Sequence, residues 1–176
     1  MRAPDVLWPA VAVGAGVAGT LDQVVFHQLL RWHTFYAREG LDVGLVSDGL
    51  FHAAMTGLLG TALVWLARST RSTRSTRSTR SGGPSTRRVT GGVLAGAGGF
   101  NLFDGVVDHK VLRLHQVREG VADLLPYDVA WIGSALAVLV VGLLVLRGSS
   151  AGAGESAELP GQTERHARRP HRPADP

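Results

Sequence analysis

The chain has 176 residues, of which 45% are hydrophobic, and it contains no cysteine. A structural disulfide and a thiolate metal site are both excluded. The formal net charge of +4 is carried by arginine, because Lys110 is the single lysine, and most of the arginines lie outside the apolar segments. The basic balance is therefore a property of loops and tail, and we expect no nucleic-acid partner.

Four apolar segments predict four transmembrane helices, over about residues 8–32, 46–67, 89–114 and 128–146. The last contains VAWIGSALAVLVVGLLVL, eighteen residues without a charge. At about 1.5 Å per residue, this length crosses about 30 Å of hydrocarbon. The segments have almost no polar face, which a soluble bundle would need. The predicted fold class is therefore all-α, an integral membrane four-helix bundle in contact with the lipid bilayer.

Two polar segments interrupt and end this pattern. Residues 68–88 form an Arg-Ser-Thr repeat, RSTRSTRSTRSTRSGGPSTRR, and residues 148–176 are rich in Gly, Ala, Pro and charge. Both compositions are typical of disorder. The arginine density of residues 68–88 places this linker, and with it both termini, in the cytoplasm under the positive-inside rule.

One motif occurs twice, as DQVVFHQLLRWH from Asp22 and as DGVVDHKVLRLH from Asp104. Both copies hold an acid, a Val-Val pair, two histidines, a leucine and an arginine at the same spacing. Two further matching stretches follow the motifs, REGLDVGLVSD from Arg38 and REGVADLLPYD from Arg118. Each copy therefore predicts a helix, an Arg-Glu-Gly loop and a second helix. We interpret the chain as an internal duplication of one helical hairpin, in residues 1–67 and 89–147.

The predicted topology collects the ionisable residues at one end of the bundle. Helices one and three run outward and carry these residues in their outer halves, whereas helices two and four run inward and carry them at their outer starts. The residues at this extracytoplasmic end are Asp22, His27, His33, Asp48, His52, Asp104, His109, His115 and Asp128. Each ionisable side chain near the bilayer centre costs about 2.5 to 3.5 kcal/mol, so several together indicate a cavity or a bound cation.

Histidine and carboxylate ligands without cysteine suit zinc, copper(II), iron or manganese, or axial ligation of haem by histidine, although no histidine pair is singled out for haem. We predict a transition-metal ion, namely copper, zinc or iron. The predicted metal ligands are His27, His33, Asp48, His52, His109 and His115. The predicted supporting polar network consists of Asp22, Arg31, Asp104, Asp108, Arg113 and Asp128. His33 and His115 lie at the predicted water interface, where solvation of the imidazole is nearly as good an interpretation as ligation.

Ideal helical geometry limits which of these residues can share an ion. At about 100° per residue, Asp22 and His33 lie within about 20° of one face but about 16 Å apart along the axis, and His27 lies about 140° away. One helix therefore cannot supply all three ligands. Asp48 and His52 share a face and could bind one ion together. Two combinations from several helices, between which the sequence does not choose, are His27 with His52 and His109, and His33 with His52 and His115.

Three other interpretations of the cluster stay open. The acids could pair with histidines and arginines as a structural polar network between helices. The cluster could also line a proton or solute path. A third interpretation is a membrane-embedded metal-dependent hydrolase, in which a metal-bound water attacks and Asp22 or Asp104 acts as the base. The copies are not identical, since Ile132 is the counterpart of His52, and this asymmetry favours a function over a symmetric structural network.

Small residues recur at a spacing of four in helices one and three. Such pairs let helix backbones approach closely, and we expect helices one and three to pack against each other through them. The pairs are Ala12/Gly16, Ala15/Gly19, Gly92/Gly96 and Ala95/Gly99. The same Gly-Ala faces could serve a homodimer or a contact with another membrane protein.

The stretches DQVVFHQLLRWH, SDGLFHA, GGFNLFDGVVDHKVLRLHQVRE and YDVAW resemble the signature segments of a family of predicted bacterial membrane proteins, domain of unknown function 2243. The resemblance covers about residues 8–146, without the arginine-rich linker and the tail. It implies a multi-pass, four-helix protein of the bacterial cytoplasmic (inner) membrane and assigns no activity. An association of such proteins with cytochrome oxidase assembly factors favours a metal-binding role in metallocentre or oxidase assembly.

Overall fold

The computed structural model describes residues 5–76 and 86–155, and all regular structure in this part of the chain is helical. Four α-helices follow in order, α1 Leu7–Asp22, α2 Leu41–Thr76, α3 Thr86–Phe103 and α4 Leu125–Glu155. α1 and α3 each continue directly into a π-helical segment, Gln23–Leu29 and Asp104–Val111 respectively. The all-α class with four helices, predicted from the sequence, is confirmed.

The helices pack in the order α2, α1, α3, α4, with α1 and α3 in the centre. α1 contacts α3, while α2 packs against α1 and α4 packs against α3. Between the described parts of α2 and α4 there is no direct backbone contact. α1 and α3 begin at the same end of the bundle, where Arg88 donates two hydrogen bonds to the Asp5 carboxylate. The segments that follow α1 and α3 therefore meet at the opposite end.

The distribution of side chains is that of a protein surrounded by lipid. Buried positions hold small residues, such as Ala10, Gly14 and Gly96, together with polar and charged side chains. Leucine and valine side chains are largely exposed along α2 and α4. In lipid, helices associate through close packing and polar contacts, because the acyl chains solvate leucine as well as a neighbouring helix would.

Within residues 5–76 and 86–155, three helical stretches are long and apolar enough to cross a membrane. They are Leu7–Leu29, Leu41–Ser72 and Leu125–Gly148, with mean hydropathies of 1.4, 1.6 and 2.6. α3 is not among them, because it is rich in glycine and begins with two arginines after Thr86. The third helix is thus less apolar than we predicted, and it lies between two of the three apolar stretches.

Both polar segments predicted to be disordered are partly helical. α2 continues to Thr76 through the first Arg-Ser-Thr triplets, and α3 already begins at Thr86. Arginine is a good helix former, and these triplets contain no glycine or proline, so a helix formed by the apolar part of α2 can extend through them. α4 likewise extends to Glu155. The rest of the predicted linker and tail, residues 77–85 and 156–176, lies outside the described residues.

Two glycines bring α1 and α3 into reciprocal backbone contact. A Cβ atom added at Gly14 would overlap the carbonyl oxygen of Val93, and one added at Gly96 would overlap that of Val11. When the two motifs are aligned, Gly14 corresponds to Gly96 and Val11 to Val93. Each helix therefore contributes one glycine and one valine carbonyl group to the contact. The predicted close packing of α1 and α3 is confirmed, but two of the predicted glycines take no part in it. Gly16 faces Leu59 of α2, and a Cβ added at Gly99 would meet nothing within 4 Å.

We expect Gly96→Ala to lower the free energy of unfolding in detergent by about 1 to 3 kcal/mol, because the new methyl group overlaps the Val11 carbonyl. Gly99→Ala is the matched control on the same helix, and helix propensity should make it neutral or stabilising by up to about 1 kcal/mol. Chemical denaturation followed by circular dichroism measures both values. Equal destabilisation by the two variants would contradict a backbone contact that is specific to Gly96.

Candidate metal centre

The π-helical segments place the acid and the first histidine of each motif side by side. Hydrogen bonds in a π-helix join residues five apart, so positions i and i+5 come close to one face. Asp22 and His27 stand in this relation, and so do Asp104 and His109. His27 Nε2 is 3.4 Å from Asp22 Oδ2, and His109 Nε2 is 3.2 Å from Asp104 Oδ2. All four residues are buried.

The arginine of each motif ends its π-helical segment and reverses the chain. Arg31 and Arg113 both have a φ of 52°, in the left-handed region where a helix commonly ends on glycine. Directly after this residue, the Trp32 N–H donates a hydrogen bond to the Phe26 carbonyl. The chain therefore folds back over the end of the bundle, and the second histidine of the motif returns towards the first.

The loops that follow these turns are joined by reciprocal backbone hydrogen bonds. The Ala37 N–H donates to the Leu114 carbonyl over 3.1 Å, and the Glu119 N–H donates to the Trp32 carbonyl over 2.9 Å. The two acceptors correspond to each other in the aligned motifs, and each donor lies five residues beyond the acceptor of its own hairpin, so the contacts are reciprocal. The loops of both hairpins thus form one layer across this end of the bundle, which we call the loop layer.

The second histidines of the two motifs cross between the hairpins within the loop layer. His33 Nδ1 lies 2.8 Å from the Val117 carbonyl oxygen, and His115 Nδ1 lies 2.9 Å from that of Phe35. A carbonyl oxygen only accepts, so Nδ1 carries the proton in both rings. The rings stack with centroids 4.5 Å apart. The residues are 6% and 2% exposed, so both histidines, which we predicted at a water interface, are buried.

Burial also fixes the charge of these two imidazoles. It lowers the pKa of His33 to about 2 and that of His115 to about 4. The neighbouring imidazoles of His115 and His27 lower the pKa of His33 further, whereas the hydrogen bond to Phe35 acts in the opposite direction on the pKa of His115. At pH 7 both rings are therefore neutral, with a lone pair on Nε2. This is the form in which histidine binds a metal ion.

The His27 ring is also oriented through its Nδ1 atom, in this case by a carboxylate. Its Nδ1 lies 2.8 Å from Asp48 Oδ1, which also accepts the Phe35 N–H over 2.6 Å. A carboxylate behind an imidazole orients the ring and increases the basicity of its other nitrogen. Asp48, a predicted metal ligand, thus positions the His27 ring through its Oδ1.

Three of the imidazoles that these hydrogen bonds orient lie close together. His27 Nε2 is 3.0 Å from His33 Nε2, and the ligand atoms of His27, His33 and His115 all lie within 4.8 Å of one another. Bonds of about 2.0 to 2.1 Å to a tetrahedral ion place two nitrogens about 3.3 Å apart. Small side-chain shifts would therefore complete a coordination sphere.

A second group of potential ligands shares one histidine with the first. It consists of Asp104, His109 and His115, whose ligand atoms also lie within 4.8 Å of one another. His109 Nε2 is 2.9 Å from His115 Nε2. Because His115 Nδ1 is bound to a carbonyl, its single remaining nitrogen can bind an ion in only one of the two groups.

His109 differs from His27 in what lies behind its ring. Its Nδ1 is buried and has no hydrogen-bond partner among residues 5–76 and 86–155. Asp128, which corresponds to Asp48, instead accepts a hydrogen bond from Lys110 Nζ over 2.5 Å. The first motif has Gln28 at the position of that lysine. The first hairpin therefore supplies the better-oriented ligand.

Several predicted site residues lie apart from the converging imidazoles. His52 is half-buried, and its Nδ1 is 3.4 Å from Gln28 Nε2. Neither of the two groups of converging ligand atoms includes it, so the two combinations with His52 stay predictions. In the described part of the chain, four predicted supporting residues make no hydrogen bond or ion pair with the histidines. These are Arg31, Asp108, Arg113 and Asp128.

The expectation that one helix cannot supply Asp22, His27 and His33 to one ion rested on regular helical geometry. It assumed a continuous α-helix, and the chain departs from that geometry twice. The π-helical segment puts Asp22 beside His27, and the left-handed Arg31 returns His33 to His27. Nothing in the sequence indicated the two carbonyl groups that orient His33 and His115, because a backbone acceptor leaves no mark in the side-chain pattern.

Residues 9–149 match the family described as Predicted membrane protein (DUF2243). The matched range includes both motifs, both loops and every residue of the two ligand groups. No curated protein and no solved structure is detectably similar to the chain.

Proposed function

We propose that this chain, which belongs to the DUF2243 family of predicted membrane proteins, binds one transition-metal ion through His27, His33 and His115. The observation that carries the proposal concerns the three Nδ1 atoms. Each of them is hydrogen-bonded to an oxygen atom of the chain, so each ring has its Nε2 available for an ion. Imidazole ligands without thiolate suit zinc, copper or iron.

The buried acids beside the imidazoles supply a second argument, from charge. Asp22 and Asp104 are 5% and 3% exposed. Among the described residues, neither is paired with a lysine or an arginine. A buried carboxylate without a countercharge is strongly unfavourable. A divalent ion among the imidazoles would balance both carboxylates, with Asp22 near enough to His27 to serve as a fourth ligand.

The hydrogen bonds of His27 support the same conclusion. Its Nδ1 donates to Asp48, and its Nε2 faces the unprotonated Nε2 of His33 at 3.0 Å. Without a cation, two lone pairs would face each other unless His27 carried protons on both nitrogens. A metal ion bound by both Nε2 atoms takes the place of that second proton and turns the close contact into shared ligation.

We expect the purified protein to hold about one equivalent of metal and the variants His33→Asn and His115→Asn to hold less than about a tenth of that, because each loses a ligating Nε2. The asparagine amide can still donate to the loop carbonyl, so the fold should persist. His52→Ala is the control and should keep the wild-type content. Elemental analysis of size-exclusion-purified, detergent-solubilised protein, with circular dichroism for folding, measures these quantities.

Two further variants decide which ligand group holds the ion. His27→Ala should lose the metal, whereas His109→Ala should keep most of it, because His109 lacks an oriented Nδ1–H. The reverse result would assign the ion to Asp104, His109 and His115. Negligible metal in the wild-type protein, or equal loss in His52→Ala, would contradict the proposal and leave the structural polar network as the better account.

The proposed location is the bacterial cytoplasmic membrane, with four crossings and the metal centre at the extracytoplasmic end. Three apolar stretches support this arrangement, and α3 lies between α1 and α4, which cover it. The arginine-rich segment that ends α2 supports a cytoplasmic position for that end of the bundle, under the positive-inside rule.

Labelling of single cysteines tests this orientation cleanly, because the chain has no cysteine of its own. We expect Asp123→Cys, in an exposed position of the second loop, to react with a membrane-impermeant maleimide in intact cells. Arg71→Cys, exposed near the other end of α2, should react only after lysis. The opposite pattern would place the metal centre on the cytoplasmic side.

A role in metallocentre or oxidase assembly requires that the ion be passed to another protein. The three proposed ligands are at most 6% exposed, so transfer would need the loop layer to open. The second candidate function is a membrane-embedded metal-dependent hydrolase, in which a metal-bound water attacks and Asp22 acts as the base. One observation favours it, namely a large cavity that reaches Asp22 from the side of the bundle.

A further inference from the structure

This cavity has a volume of about 820 Å³ and lies between α1, α3 and α4. That volume is within the range of about 300 to 1,000 Å³ that is usual for sites of small organic ligands. Its walls are mostly apolar, with Val17, Ala97 and Val138 among them. The walls from α1 and α4 belong to stretches that are apolar enough to cross a membrane, so the medium next to the cavity is the lipid interior.

The corresponding space on the other side of the bundle is filled by large side chains. Phe51 stacks on Phe35 with ring centroids 4.7 Å apart and on Phe100 with centroids 6.3 Å apart. Met55 and Phe100 both pack against Gly19 of α1. These four side chains occupy the region where α1, α2 and α3 meet.

Smaller residues take three of these four positions on the side of the cavity. In the alignment of the two hairpins, Val117 corresponds to Phe35, Ala18 to Phe100, Ala135 to Met55 and Trp131 to Phe51. Trp131 packs edge-on against Phe26, with centroids 5.0 Å apart. Of these residues Val117, Ala18 and Trp131 line the cavity, so the two replacements of a phenylalanine by a smaller side chain, at positions 18 and 117, account for the extra space on this side.

Two polar atoms without partners define what the cavity could hold. Asp22, which is 5% exposed, lines the cavity, and its Oδ1 has no hydrogen-bond partner in the described part of the chain. The same is true of Asn101 Oδ1, from α3. Both atoms are hydrogen-bond acceptors, so a matching ligand carries a donor. A carboxylate head group would instead be repelled by the acids beside it.

We propose that the cavity binds an amphiphile with one apolar chain and a neutral hydroxyl head group, which donates a hydrogen bond to Asp22 Oδ1. The apolar chain of this ligand lies along α1 and α4 within the membrane, and the head group lies next to the metal centre. The inference does not depend on the metal, because the cavity and the two unpartnered acceptors belong to the protein itself.

Photolabelling of the full-length, metal-depleted protein in detergent tests this proposal. The probe is a long-chain primary alcohol that carries a diazirine in its chain, and the comparison probes are the matching alkane and the matching fatty acid. We expect the alcohol to label residues 17–26 and 126–138 at least about five-fold more than either comparison probe, as one net hydrogen bond predicts. Equal labelling by alcohol and alkane would overturn the assignment of Asp22 as the head-group acceptor.

A substitution copied from the filled side of the bundle tests the cavity itself. Ala18→Phe introduces the residue found at position 100 and should abolish labelling of both segments by all three probes. Val141→Phe is the control, since Val141 is exposed on α4 and does not line the cavity. Wild-type labelling of Ala18→Phe would overturn the proposal. The labelled protein carries no metal, so this result would not bear on the proposed metal site. Failure of the metal-binding experiments would likewise leave the expected labelling unchanged.

Discussion

The loops of the two hairpins exchange a pair of imidazole hydrogen bonds, from His33 to the Val117 carbonyl and from His115 to the Phe35 carbonyl. Each bond ties one hairpin to the other, buries a ring under the loop layer and fixes the proton on Nδ1. The remaining nitrogen of His33 thereby lies 3.0 Å from His27 Nε2, and that of His115 lies 2.9 Å from His109 Nε2. Without this exchange the histidines would be four separate side chains at the rim of a bundle, and no common site would exist.

The same pair of imidazole–carbonyl hydrogen bonds helps to explain how the four helices associate in lipid. Apolar side chains give little attraction between helices there, so close backbone packing and polar contacts carry the association. Gly14 and Gly96 provide the close packing between the central helices, and the loop layer provides the polar contacts at their ends. A bound ion would strengthen this end further, because His27 and His33 come from the first hairpin and His115 from the second.

The sequence predicted the helical class, the two hairpins and the gathering of acids and histidines at one end, because these follow from hydropathy, spacing and the recurrence of one motif. It could not predict the local geometry of the site. The π-helical turn between Asp22 and His27 and the left-handed conformation of Arg31 both break the regular helix that periodicity assumes. His52 illustrates the result, since its helical position suggested a ligand and its side chain lies beside Gln28 instead.

Anomalous X-ray diffraction from crystals of the metal-loaded protein tests the central claim most directly, because it locates the ion relative to each side chain. The account predicts one peak about 2.0 to 2.3 Å from Nε2 of His27, His33 and His115, as expected for a transition-metal ion bound by imidazole. A peak beside His52, or no peak beneath the loop layer in crystals soaked with zinc, copper and iron, would contradict it.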